Sequence, residues 1–432
     1  MQRKTILYIQ HAARMGGAPM SLLYLAGGID QSRFRPVIAL ISPTPELRDL
    51  YESHGIEVVE APGITTFEHT TALWATVFQP RSLLVLFKSI VRFRRTLQLT
   101  QDLVDRVRPD IVHLNSVVLA PSAIALRAAG IPVVWHVREA TVRGIFGLRT
   151  RWLRNQLSAI PAEIIFLSEY DHQRWIGGRR GIVLPNFVTS LDGNPSVPSA
   201  PGASPPDAKG PPVILFLGGF LKIKGTHVLV SALHQLKMQG VEFRCILAGP
   251  MRTPASRRWK QRIRDLATRA GHRDYEGRVR AQIHRLGLGP DVTILPFTTD
   301  TPGLFRSASV LAFPSTRPHF ARPVMEAACY GVPVVASRIG GVMDLVDDGA
   351  TGILVEPGDV GGLARGLGRL LTEPGTAAAF GSAARRKAAK DFDASKILET
   401  INSLYERLAP SAPSNPATAG HPGSLPLDAG CA

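Results

Sequence analysis

Cysteine is scarce in this chain: its 432 residues hold three, Cys245, Cys329 and Cys431, far apart in sequence. So sparse and odd a set builds no disulfide framework and no paired-Cys metal cage, and it fits a reducing compartment. Also missing is any run of about 18 uninterrupted apolar residues, so no segment reads as a membrane span. The apolar stretch in the opening MQRKTILYIQHAARMGG is too short for a secretory signal. No HExxH or clustered Cys/His marks a metal, and no GxGxxG opens a first helix for a dinucleotide; no cofactor or metal is expected. Acids are few. Against 50 Lys and Arg stand 34 Asp and Glu, a formal net charge of +16. That excess points to a polyanionic partner. Nucleic acid fits poorly, because aromatics are not interleaved with the basic residues as single-strand binding requires. The chain is expected in the cytoplasm, free or peripheral on the inner face of a membrane.

What is present reads as a globular α/β protein long enough for two or three domains: 45% hydrophobic and 19% charged residues. Short apolar runs alternate with helical patterns, the signature of doubly wound parallel sheets. Strands are expected at 5–10, 36–41, 57–61, 110–114, 132–137 and 163–167. A second series follows at 213–217, 244–248, 292–297, 310–313 and 333–337. Between the series lies DGNPSVPSAPGASPPDAKGPP, which has no apolar periodicity and reads as a flexible linker. The expected division is a first domain at 1–190, a linker at 191–211, a second domain at 212–390, a last helix at 391–409 and a disordered tail at 410–432.

The stretch 311–341, LAFPSTRPHFARPVMEAACYGVPVVASRIGG, organises the second domain. A buried strand leads through a proline-rich turn into a helix near Pro323, a residue suited to a first helical position. Glu326 then lies near the positive helix end, where a carboxylate either stabilises the dipole or accepts hydrogen bonds from sugar hydroxyls. Gly340 and Gly341 open the next helix, with N–H groups aimed at phosphate. In the first domain, Gly16 and Gly17 follow the first strand, where a tight turn or a close ligand approach would each need glycine. His113 ends another strand and faces either core or cleft. The segment DFD at 391–393 reads as a helix cap.

Two basic runs stand apart. In RSLLVLFKSIVRFRRTLQL (81–99), Arg81, Lys88, Arg92 and Arg95 share one helical face opposite apolar residues. VRGIFGLRTRWLRNQL (142–157) adds Arg143, Arg149, Arg151 and Arg154. Both read either as solvated helix faces or as contacts to an anionic membrane.

PSTRPHFARPVMEAACYGVPVVASRIGG, followed by DLVDDGATGILVEPGD at 344–359, closely resembles the donor segment of glycosyltransferase family 4. GGAPMSLLYLA near the start resembles the same family's first loop. The resemblance implies a GT-B fold: two Rossmann-like domains facing across a cleft, with the last helix crossing back. It implies a retaining, metal-independent glycosyltransferase moving a sugar from a UDP- or GDP-sugar to a glycan or lipid-linked acceptor, in surface polysaccharide assembly. By that likeness Glu326 holds the nucleotide ribose and Lys224 the diphosphate, with His113 beside the acceptor and donor sugar. Donor contacts fall to Gly16, Gly17, Gly219, Lys222, Phe297, Thr298, His319, Phe320, Ala321, Arg322, Gly340 and Gly341. The tetrapeptide His136–Glu139 faces the acceptor through His136, Arg138 and Glu139. Two family charges are missing: Pro318 stands for the first motif Glu and Gly219 for an Arg. Those departures keep alternatives open, a nucleotide-sugar epimerase or hydrolase on the same fold, or a catalytically weak sugar-nucleotide or membrane-binding protein.

Overall fold

The computed structural model describes residues 3–12, 15–67, 87, 91–140, 147–177, 180–187, 210–249, 275–296, 298, 300–319 and 321–409. The first series runs β1 (Lys4–Gln10), α1 (Gly17–Gly28), β2 (Phe34–Leu40), α2 (Pro45–Glu52), β3 (Glu57–Glu60), α3 (Phe93–Val107) and β4 (Ile111–Leu114). It continues with α4 (Ala120–Ala128), β5 (Val133–Val137), α5 (Leu148–Ala159), β6 (Glu163–Phe166), α6 (Glu169–Ile176) and β7 (Ile182–Val183). The second series comprises β8 (Val213–Leu217), α7 (Thr226–Met238), β9 (Arg244–Ala248), α8 (Tyr275–Arg285), β10 (Val292–Leu295), α9 (Thr301–Ser307) and β11 (Val310–Phe313). After these come α10 (Arg322–Tyr330), β12 (Val334–Ser337), α11 (Val342–Leu345), β13 (Gly352–Val355), α12 (Val360–Thr372), α13 (Pro374–Asp391) and α14 (Ala394–Leu408).

Two sheets result, ordered β3-β2-β1-β4-β5-β6-β7 and β10-β9-β8-β11-β12-β13, with every named strand pair parallel. Strands buried on both faces need continuous apolar runs, and β1 and β11 supply them. Within β1, Leu7 and Ile9 join the core on one face while Ile6 and Tyr8 join the other. Strand order reverses between β1 and β4 in the first sheet and between β8 and β11 in the second. In an open parallel sheet, ligands bind beyond the strand ends at such a reversal. The loops after β1, β4, β8 and β11 are therefore the ones to inspect.

Local chemistry sets the helix starts. Ser168 Oγ accepts from Asp171 N, Asp359 caps α12 through Gly362 N, and Asp393 accepts from Ser395 N and Lys396 N. The DFD segment thus ends in a cap. Helix α14 leaves the second sheet and buries Ile397, Leu398, Ile401, Leu404 and Tyr405 in the core of the first. It packs so closely on α1 that a Cβ on Gly28 would come within 2.7 Å of Leu398.

Several expected bounds shift. Helix α1 begins at Gly17, directly after the turn, and β10, expected to reach 297, stops at Leu295, before Pro296. The helix after Gly341 is a single turn. Among the described residues no helix is long and apolar enough to cross a membrane. Residues 191–209 of the expected linker and the tail 410–432 lie outside the described residues, as do Arg81, Lys88 and Arg143.

Candidate active site between the two sheets

The loop after β8 carries Lys224 at the end of a short 3-10 turn, Lys222–Lys224. Gly225 follows with φ of 74°, and a Cβ there would sit 1.9 Å from the Pro314 carbonyl oxygen. Only glycine lets this loop lie directly on the end of β11. Thr316 N donates to Ile223 O at 2.8 Å and ties the two loops together. Lys224 Nζ then donates to His319 Nε2 at 2.5 Å, while His319 Nδ1 lies 2.9 Å from Arg317 O. A carbonyl only accepts, so Nδ1 carries the ring proton and Nε2 is the lone pair facing the ammonium. Burial pushes Lys224 down to about 8. Burial first, then the nearby ammonium, pushes His319 down to about 3, so the ring stays neutral. Among the described residues Lys224 has no acidic partner.

Glu326 sits buried in the second turn of α10. Its Oε1 accepts from Arg322 Nε at 2.6 Å, a pair with side chains 13% and 9% exposed. Arg322 reaches further. Its Nη1 donates to Gly17 O at 3.1 Å and approaches Ser21 Oγ at 3.4 Å, and its guanidinium lies 5.2 Å from the Tyr24 ring. One side chain therefore joins the carboxylate of the second lobe to α1 of the first. A Cβ on Gly17 would make only an ordinary contact with Arg322 Cδ at 3.7 Å, and Gly16 has open space around it.

Gly340 and Gly341 serve close packing. A Cβ on Gly340 would meet Pro318 at 2.9 Å, and one on Gly341 would meet Ser168 of the first lobe at 2.8 Å. Beside them Tyr170 N donates to Asp344 Oδ2 at 3.2 Å across the lobes. A one-turn helix has little dipole to offer phosphate, so the expected helix entrance is weaker than the sequence implied. Gly219 has φ of 62°, and its neighbour Gly249 could not carry a Cβ without reaching Gly219 N at 2.4 Å. An Arg would be strained there, which accounts for the missing charge. Lys222 is exposed beside it. Thr298 Oγ1 accepts from Asp300 N and so shapes the start of α9. Ala321 is fully buried as the residue preceding α10. Phe297 and Phe320 lie outside the described residues.

On the first lobe, His113 is fully buried. Its Nδ1 lies 2.7 Å from the Tyr405 hydroxyl on α14, and its Nε2 lies 3.3 Å from His136 Nδ1. Burial pushes His113 down to about 3 and His136 well below its usual range. Position alone allowed core or cleft, and the structure puts His113 in the core. Glu139 is spent locally, accepting from Ser116 Oγ and from the backbone nitrogens of Val117 and Arg138. Arg138 extends to Asn115 and Asn186, residues that no spacing rule connects to it. The basic run at 142–157 is partly used inward. Arg149 is buried with its guanidinium 4.7 Å from the Phe67 ring, and Arg154 donates to Arg174 O at 2.5 Å.

Lys224 and His319 thus pair between the loops after β8 and β11, and Arg322 ties Glu326 to Gly17 after β1, all beyond strands at which the sheets reverse order. Residues 203–387 match the family model of glycosyl transferases group 1. The fold is GT-B. HepE of Anabaena, solved with UDP and glucose, superposes with a TM-score of 0.70 at 23% identity, over 92% of this chain and 98% of that one. Among curated relatives, the capsular polysaccharide glycosyltransferase CapM of Staphylococcus aureus is 24% identical over 193 residues, 45% of each chain. D-inositol 3-phosphate glycosyltransferase of Salinispora arenicola is 36% identical over 132 residues, 29% of this chain and 30% of its own. The chain spans less than half the length of these two curated relatives.

Proposed function

We propose that the chain is a retaining glycosyltransferase of family 4 that moves a sugar from a nucleotide diphosphate donor to an acceptor held by the first lobe. One observation carries the reading: a half-buried ammonium with no acid among the described residues, Lys224, lies in the loop after β8, and a buried carboxylate, Glu326, lies in the helix that follows the adjoining strand β11. An ammonium there would stabilise charge on a departing diphosphate, the electrostatic contribution that usually dominates such chemistry. Among the described residues Glu326 Oε2 has no hydrogen-bond partner, and it would accept from the ribose hydroxyls. The acceptor oxygen would attack the face the diphosphate leaves. The bond from the sugar carbon to the diphosphate breaks as that to the acceptor forms, and the acceptor proton departs with the leaving group. No residue is assigned as a covalent nucleophile and no metal is required. UDP, as in the HepE complex, is the first donor nucleotide to try, with GDP beside it. A glycan or lipid-linked acceptor in surface polysaccharide assembly fits the likeness to CapM.

Thermal-shift screening of UDP- and GDP-sugars tests donor binding, because a ligand of the folded state raises the melting temperature. Lys224→Ala is expected to lower kcat/KM by about 10²-fold or more. Normal turnover in that variant would remove the reading. The pairing of Glu326 with Arg322 favours a second reading, a weakly active nucleotide-sugar binder. Sugar-nucleotide binding without transfer or hydrolysis would select it.

The chain also reads as peripheral on an anionic membrane. Exposed Phe87 and Val91 beside exposed Arg92 and Arg95 support this. Co-sedimentation with anionic vesicles, abolished by high salt and absent with neutral vesicles, is the expected result.

A further inference from the structure

The Arg138 side chain is half-buried in the first lobe, and its hydrogen bonds go to neutral partners. Its Nε donates to Asn115 Oδ1 at 2.6 Å and Nη1 to Asn186 Oδ1 at 2.7 Å. Its Nη2 lies 3.3 Å from His136 Nδ1. Five N–H groups less these three leave one on each terminal nitrogen. No carboxylate pairs with it among the described residues, since the oxygens of Glu139 are held by Ser116, Val117 N and Arg138 N. Burial pushes Arg138 down to about 10, with the Glu139 charge opposing that shift and the Arg322 charge from the other lobe adding to it.

The surroundings offer more donors. Arg138 can only donate, so His136 Nδ1 accepts and the neutral ring carries its proton on Nε2. Among the described residues that nitrogen is buried and has no hydrogen-bond partner, and the Gln10 amide nitrogen at the end of β1 has none but the nearby Tyr51 hydroxyl. Gln10 Oε1 meanwhile accepts from His11 N at 3.0 Å and Asn115 Nδ2 at 3.3 Å. A desolvated cation whose neighbouring carboxylate, Glu139, is committed to other donors and a buried donor without a partner are each costly in a folded protein. They gather at the mouths of β1, β4 and β5, where the first sheet reverses order.

We propose that Arg138, with His136 and Gln10, forms an oxyanion subsite on the first lobe, filled by a phosphate or carboxylate of the substrates. The site is distinct from the Lys224 group, and its ligand has two candidate sources: an anionic group of the acceptor, or a phosphate of the donor. The assignment to substrate rests on the glycosyltransferase reading; the anion preference does not.

The test compares wild type with Arg138→Gln in two arms. Calorimetry measures UDP affinity, and thermal shift measures stabilisation by orthophosphate over chloride of equal ionic strength, with UDP saturating. Loss of the orthophosphate response with UDP affinity kept assigns the subsite to the acceptor. A UDP affinity weakened tenfold or more assigns it to the donor. Arg138→Lys keeps the charge without the fork and is expected to retain part of whichever response Arg138→Gln loses, which separates anion binding from misfolding. If Arg138→Gln matches wild type in both arms, the proposal fails. If wild type binds no nucleotide, the donor reading fails instead, and the orthophosphate arm run without UDP still decides the subsite.

Discussion

Lys224 is a cation held without an acid, and two pH effects of opposite sign follow. Its folded value, about 8, lies below that of an unfolded lysine. The unfolded chain therefore binds more protons between about pH 8 and 10.4, so this group makes the unliganded protein more stable as pH rises through that window. Donor binding runs the other way, since a diphosphate needs the charged form. Nucleotide affinity is expected to fall above about pH 8, and Lys224→Arg to move that fall to higher pH; calorimetry from pH 6.5 to 9.5 reads both. Glu326 answers to its own partner. Removing the carboxylate leaves Arg322 buried and unpaired, so Glu326→Ala should cost about 3 kcal/mol or more in urea unfolding. Lys224 and Glu326 could be singled out only through the likeness of their segments to glycosyltransferase family 4, since spacing alone left a loop lysine and a dipole-stabilising carboxylate as readings. The environment of Arg138 was not legible, since Asn115 and Asn186 come from other strands and meet it only after folding.

Among the elements, the loop after β8 shows how backbone geometry places a charge. Gly225→Ala combines a left-handed φ with a contact to the Pro314 carbonyl that no side chain can yield. The backbone conformation alone is worth about 1–3 kcal/mol, and thermal unfolding with nucleotide titration should show lost stability and weakened binding together. Most strands could be read in advance, because burial on both faces demands unbroken apolar runs such as TILYI and VLAF. The two-residue β7 could not, as it is too short to carry a pattern. Gly340 and Gly341 were recognisable as a pair but not in purpose. Their lack of side chains admits Pro318 and Ser168, contacts that depend on how the lobes meet.

For the molecule as a whole, the polar bonds joining the two lobes among the described residues include those of Arg322 to Gly17 and of Tyr170 to Asp344. Arg322→Met should loosen that junction, and a lower energy-transfer efficiency between dyes on α2 and α12 would register it. The crossover helix adds a tie of another kind. Tyr405 is fully enclosed by the first lobe, so Tyr405→Ala should destabilise that lobe by about 3–5 kcal/mol, read by near-ultraviolet dichroism. Because α14 completes a core begun by β1, β1 waits on the ribosome until the whole second lobe and α14 have been made before its packing closes. The second lobe suffers no such delay. During synthesis it should therefore gain protease resistance ahead of the part of the chain that precedes it, reversing the usual order from N-terminus to C-terminus.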